Sequence, residues 1–207
     1  MARVLITGAS GLVGGELLRL LQADEQITVI VAPTRTALPA HVKLQNPVGN
    51  DLHELLMHLE QPVDKVFCCL GTTRRQAGSA EAFRYVDHQL VVDTALCGQR
   101  LGAQHFLAVS AIGANAHSPF LYNRTKGQME QALREQRWPF LTLVRPSMLV
   151  GERAKPRLLE QLTFPLFRLL PGKWKAVSAK DVAKTLLTQA FSTCSGVKIL
   201  ESDQLHC

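Results

Sequence analysis

The sequence predicts an α/β fold: a three-layer, doubly wound domain with a mostly parallel sheet and helices on both faces. Three observations carry that expectation. Short apolar runs alternate along the chain with amphipathic stretches of helical period. Runs such as Val66-Phe67-Cys68-Cys69-Leu70 are continuously apolar, as in strands buried on both faces of a parallel sheet. A glycine-rich turn joins the first run to the first amphipathic stretch.

At 207 residues and 46% hydrophobic content, the chain fits one domain with a sizeable core. The expectation is a single dinucleotide-binding domain over 1–207, with 151–207 a small C-terminal part covering the substrate side. No apolar run approaches the roughly twenty residues of a membrane span. Five cysteines (Cys68, Cys69, Cys97, Cys194 and Cys207) are odd in number and lack framework spacing. With an apolar start too short for a secretory leader, they predict free thiols and a cytoplasmic location. The net charge of +6 is scattered along the chain. It lacks the interleaved aromatics, zinc spacing or recognition helix of a nucleic-acid binder, so no nucleic acid is expected. No His, Cys, Asp and Glu spacing suits a metal.

Arg3 to Thr7 reads as the first strand and Glu16 to Leu21 as the first helix, with Gly8-Ala9-Ser10-Gly11-Leu12-Val13-Gly14 between them. Gly8 turns the chain out of the strand, and Gly11 leaves the backbone bare for a pyrophosphate. Gly14 lets the helix pack close to the strand. The unpaired amides and the helix dipole there favour phosphate. Ile27 to Ala32 reads as the second strand. Where an NAD-preferring unit places an acid, this chain has Pro33-Thr34-Arg35-Thr36. A guanidinium there suits a 2′-phosphate, which points to NADP over NAD; the competing reading of Arg35 is a solvated loop residue.

Val42 to Gln45 reads as a short third strand, and Asp51 to Glu60 as a helix capped by its aspartate. His53 and His58 lie five apart on that helix and share no face, so they read as surface or packing residues. Val66 to Leu70 reads as a buried strand ending in the small turn Gly71-Thr72-Thr73, placed to touch a cofactor. Cys68 and Cys69 point to opposite faces. Arg74 and Arg75 read as loop residues. Ser79 to Arg100 reads as one long helix with Phe83, Val86 and Leu90 as its apolar stripe.

His105 to Ser110 reads as the fifth strand and delivers Ser110 to the carboxyl edge of the sheet. A helix from Tyr122 would carry Tyr122 and Lys126 on one face, with Met129 and Leu133 continuing that stripe inward. A phenol, whose usual pKa is about 10, becomes a better acid/base beside an ammonium. Phe140 to Arg145 reads as the sixth strand, Ala179 to Ala190 as a helix with Asp181 in its first turn, and Val197 to Leu200 as an edge strand. Lys155 to Pro171 is apolar and basic; a pocket cover, a homodimer face and a membrane surface are the readings it leaves open.

With Thr7-Gly8-x-x-Gly11-x-x-Gly14, Ser110, Tyr122-x-x-x-Lys126 and Arg145-Pro146-x-x-x-x-Gly151, the chain resembles the atypical branch of the short-chain dehydrogenases/reductases. Cys68 to Arg74 and Phe120-Leu121-Tyr122 make it most similar to the Tat-interacting oxidoreductase-like proteins. The resemblance implies a Rossmann fold and NADPH-dependent hydride transfer to a small carbonyl substrate. Tyr122 would then be the acid/base, Lys126 would hold the nicotinamide ribose, and Ser110 would meet the substrate. It implies cofactor contacts at Ser10 to Val13, Leu70, Gly71 and Leu149. The sequence departs from the pattern at Pro33-Thr34-Arg35, where relatives often carry Gly-Arg-Arg, and at Ala111, where many have a second serine. A regulatory NADPH-binding module with little turnover is the alternative function.

Overall fold

The computed structural model describes residues 1–150 and 176–205. In chain order the strands are β1 (Ala2–Thr7), β2 (Ile27–Val31), β3 (Leu44–Gln45), β4 (Lys65–Cys68), β5 (His105–Val109), β6 (Phe140–Arg145), β7 (Leu149–Val150), β8 (Val177–Ser178) and β9 (Gly196–Glu201). Seven of them form one sheet in the order β3-β2-β1-β4-β5-β6-β9, and every adjacent pair is parallel. β7 and β8 make a separate two-stranded ribbon. The chain winds outward from β1 to β3, returns, and winds outward from β4 to β9. The reversal falls between β1 and β4. The crevice at their carboxyl ends is where a doubly wound sheet takes its ligand.

The helices are α1 (Leu12–Ala23), α2 (Leu52–Met57), α3 (Arg74–Ala77), α4 (Ala80–Arg84), α5 (Leu90–Arg100), α6 (Leu121–Glu135) and α7 (Ala179–Ala190). Alternation along each strand sends side chains into two cores. Val4, Ile6, Phe67, Leu107 and Val144 pack with Leu17 and Leu21 of α1 and Val182 and Leu186 of α7. Leu5, Val66, Phe106 and Leu143 pack on the other face with Leu56 of α2, Val91 and Ala95 of α5, and Met129 and Leu133 of α6. Cys68 belongs to the second core while Cys69 packs against the first, the opposed placement that strand geometry predicts. No described helix is long and apolar enough to cross a membrane.

Three features differ from the sequence expectation. β3 keeps only the last two of its four expected residues, because Val42 and Lys43 lie in a turn closed by the Leu44 amide donating to the His41 carbonyl at 2.9 Å, and just after the strand the Asn46 side chain ties the chain down. Its amide donates to the Ala32 carbonyl at 2.5 Å and its oxygen accepts the Leu38 amide at 2.8 Å. The expected helix at 79–100 is broken by a π-helical turn over Tyr85–Gln89, with α4 before it and α5 after. Arg74 and Arg75 open the short helix α3, which Thr73 caps, rather than lying in a loop.

Residues 176–205 build into the body of the domain. α7 packs against α1, and β9 extends the sheet beside β6. The apolar and basic segment 155–171 lies outside the described residues.

Candidate active site

The turn after β1 is shaped by its glycines. Gly8 has φ +76°, in the left-handed region, and its carbonyl accepts the Gly11 amide at 2.9 Å. Gly14 lies directly against the Gly8 carbonyl, where a β-carbon has no room. Gly11 stands at the N-cap of α1 without a capping side chain, and the first turn holds no acid. The Leu12 and Val13 amides therefore lack intrahelical partners and lie at the positive end of the helix dipole. Ser10 and Gly11 are exposed at this mouth. These residues fit a dinucleotide pyrophosphate, which takes amide donors and backbone approach rather than side-chain charge.

The turn after β4 runs beside it, tied in by the Cys69 amide donating to the Thr7 carbonyl at 2.9 Å. Gly71 is exposed, and Thr72 is half-buried with its amide donating to Asp87 Oδ2 at 2.8 Å. Burial, the largest cause, pushes the Cys68 and Cys69 thiols up, so both behave as neutral core groups. Leu149 packs against the first core from the β7 ribbon. Arg35 is exposed beyond β2, and Thr34 before it is buried with its hydroxyl donating to the Thr36 carbonyl.

α6 brings the catalytic candidates to the same edge. Tyr122 sits in its first turn, 44% exposed, with its ring 5.8 Å from that of Phe83. Lys126, one turn on, is buried. Its Nζ lies 2.8 Å from Asp87 Oδ1 and 3.5 Å from the Val109 carbonyl oxygen. Burial works against the Lys126 ammonium, but the attraction of Asp87, helped by Tyr122 and Cys68, outweighs it and holds the pKa above the ordinary lysine value.

Asp87 escaped the sequence reading. The signal was present: in a regular helix Asp87 follows Phe83 by four residues and falls on the apolar stripe, an unusual place for a carboxylate. It lies within the π-helical turn, buried to 1% exposure.

Ser110 is delivered to the carboxyl edge but is joined to Glu130, not to Tyr122. Its hydroxyl donates to Glu130 Oε1 at 2.6 Å, and both residues are buried. Glu130 also accepts from Arg145, at 2.8 Å to Oε1 and 2.6 Å to Oε2, and from Arg134 at 3.1 Å. Arg145 reaches on to Glu201 at 2.8 Å. The Glu130 hydrogen bonds are the largest cause holding the Arg145 guanidinium charged. A pocket of about 330 Å³ opens beside this cluster, lined among others by Asn115, Gly127, Arg134 and Arg145, with neither Tyr122 nor Lys126 in its wall.

Residues 8–193 match the model of a protein family described as NAD(P)H-binding. Protein HTATIP2 of Rattus norvegicus is 33% identical over 208 residues, covering 96% of this chain and 86% of its own length. Protein FMP52, mitochondrial, of Lodderomyces elongisporus is 32% identical over 161 residues, covering 72% of this chain and 68% of its own. Among solved structures, a short chain dehydrogenase family protein from Francisella tularensis is similar with a TM-score of 0.74 at 13% identity, over 99% of this chain and 98% of that one. It shares the fold. The mitochondrial name of fungal relatives overturns the cytoplasmic location expected from cysteine usage. Unpaired cysteines argue against an oxidising compartment, but they do not choose between reducing ones. With its glycine turn set at the switch point of a parallel sheet, the chain belongs to the NAD(P)H-binding family, on the Rossmann fold of the short-chain dehydrogenases.

Proposed function

We propose that the chain is an NADPH-dependent reductase of small carbonyl compounds. The observation that carries this reading is the pairing on α6 of a buried Lys126, held charged, with a partly exposed Tyr122 one turn away at the ligand-binding edge. A module that only bound nucleotide would have no need of a phenol in that place.

The Leu12 and Val13 amides would hold the pyrophosphate, and Gly11 would give it access. Gly71 and Thr72 would border the bound cofactor, and Lys126 would hold its nicotinamide ribose. The reduced nicotinamide, when bound, supplies the hydride to the carbonyl carbon. Tyr122 gives its hydroxyl proton to the carbonyl oxygen as charge develops there, and Lys126 stabilises the phenolate left behind. Solvent returns the proton to Tyr122, which its exposure allows. Arg35 is exposed and has no ion pair among the described residues, so its guanidinium is available to a 2′-phosphate. That supports NADPH over NADH.

A panel of aldehydes, ketones and nucleotide sugars, followed by NADPH oxidation, tests the proposal. Tyr122→Phe should retain NADPH affinity and lose roughly a hundred- to ten-thousand-fold in turnover, the range of a missing general acid. Normal turnover by that variant would refute the assignment. The second reading is a regulatory NADPH-binding module, and one observation favours it. Ser110, the expected substrate contact, has its hydroxyl committed to Glu130. NADPH binding with no oxidation across the panel would select this reading.

A further inference from the structure

We propose that Asp87 is a positioning residue of this site: one carboxylate oxygen holds the Lys126 ammonium and the other holds the Thr72 amide, setting the turn after β4 and the lysine of α6 as one unit. The inference rests on the reading of Lys126 as the residue that holds the cofactor ribose.

The geometry is specific. Both contacts are 2.8 Å, and the Lys126 and Asp87 side chains are only 3% and 1% exposed. Neither charge would be stable at such a place alone. Asp87 reaches it through a π-helical turn, an irregularity that interrupts otherwise regular helix and recurs at functional sites. Replacing a buried ion pair by apolar residues of similar volume is often neutral or stabilising, so stability alone is a weak reason for such a pair. This one instead spans two segments that border the cofactor crevice.

Each element packed against the ammonium contributes a facing group: Asp87 from the π-helical turn, Tyr122 from α6 itself, Cys68 from β4 and the Val109 carbonyl from β5. Asp87 is the single carboxylate among them. Burial acts on Lys126 in the opposite sense, toward the neutral amine. Without the Asp87 charge, burial is left with no carboxylate to oppose it, and Lys126 loses its proton at lower pH.

Asp87→Asn keeps the volume and an acceptor for the Thr72 amide while removing the charge. NADPH affinity is measured from pH 7 to 9.5 in a Tyr122→Phe parent, which removes the phenol's own ionisation, and in that parent carrying Asp87→Asn, Asp87→Glu or Lys126→Met. Asp87→Asn should bind within about threefold of the parent at pH 7 and about tenfold or more weaker at pH 9.5, as the ammonium is lost. Asp87→Glu, which restores the charge, should follow the parent. A purely structural role would weaken Asp87→Asn by one factor at every pH, and that result overturns the proposal.

Lys126→Met separates the two claims. If it binds NADPH as tightly as the parent, the ribose role of Lys126 falls, and the tether is then judged by the ¹³Cε shift of Lys126. That resonance should report an ammonium beyond the ordinary lysine value of 10.5 in the wild type and an earlier titration in Asp87→Asn. Equal titration in the two overturns the tether. Should Asp87→Asn not fold, loss of the wild-type Lys126 proton at or below 10.5 does the same.

Discussion

Arg35 owes its interest to what surrounds it: no acid follows β2, the preceding threonine is fixed by its own turn, and the guanidinium faces solvent. A charge-assisted pair of hydrogen bonds to a 2′-phosphate is the interaction that separates NADPH from NADH, and every tenfold in preference corresponds to about 1.4 kcal/mol. Arg35→Ala should therefore erase most of the preference without touching NADH affinity. Calorimetry with both nucleotides checks this, and equal affinities in the wild type would dismiss the contact. Residue identities of this kind are legible in a sequence because they follow from spacing along one strand and its turn. Asp87 and Glu130 were not, because their roles depend on partners brought from distant strands and helices: Thr72 and Lys126 for the first, Ser110 and Arg145 for the second. A buried carboxylate shows in one dimension only as an acid on an apolar stripe, and its partner shows not at all.

At the scale of elements, periodicity was enough wherever packing and local propensity agreed. β6 over Phe140–Arg145 and α7 over Ala179–Ala190 have the bounds their patterns predict, and the Ser178 hydroxyl caps the latter by accepting the Asp181 amide at 3.0 Å. Among the departures, the π-helical turn is the one that bears on the site. One extra residue per turn leaves no mark on hydrophobic spacing beyond a slip in phase. The glycine turn offers the sharper test of an element. Among the described residues a β-carbon added at Gly11 would meet one atom within 4 Å, the Gly8 carbonyl oxygen at 3.1 Å, a tight contact that the turn must relieve by a few tenths of an ångström. Gly11→Val should fold with a modestly lowered melting temperature and fail to bind NADPH; a variant that binds normally would move the phosphates elsewhere.

For the molecule as a whole, pH acts through a group far from chemistry. His105 is buried in β5, with Nε2 2.9 Å from the Thr142 hydroxyl, and burial, aided by Lys65, pushes its pKa down to about 4 from 6.5. The folded state favours the neutral ring, so its contribution is complete above about pH 6.5 and is lost as pH falls toward 4. The loss amounts to at most about 3 kcal/mol. Denaturant titrations at pH 7.5 and 4.5 should show a smaller fall in stability for His105→Asn than for the wild type, and parallel falls would exclude the histidine as the cause. The uniformly parallel sheet has another outcome, in time rather than in energy. No two of the described strands can zip as a hairpin, so each of their pairings waits for a crossover to form, and such long-range contacts make folding slow. α1, which carries the glycine turn, packs against α7, so its covering helix comes from the far end of the sequence. During synthesis α1 and its glycine turn are made well before α7, so the apolar side of α1 stays open to chaperones until residues 179–190 have been made.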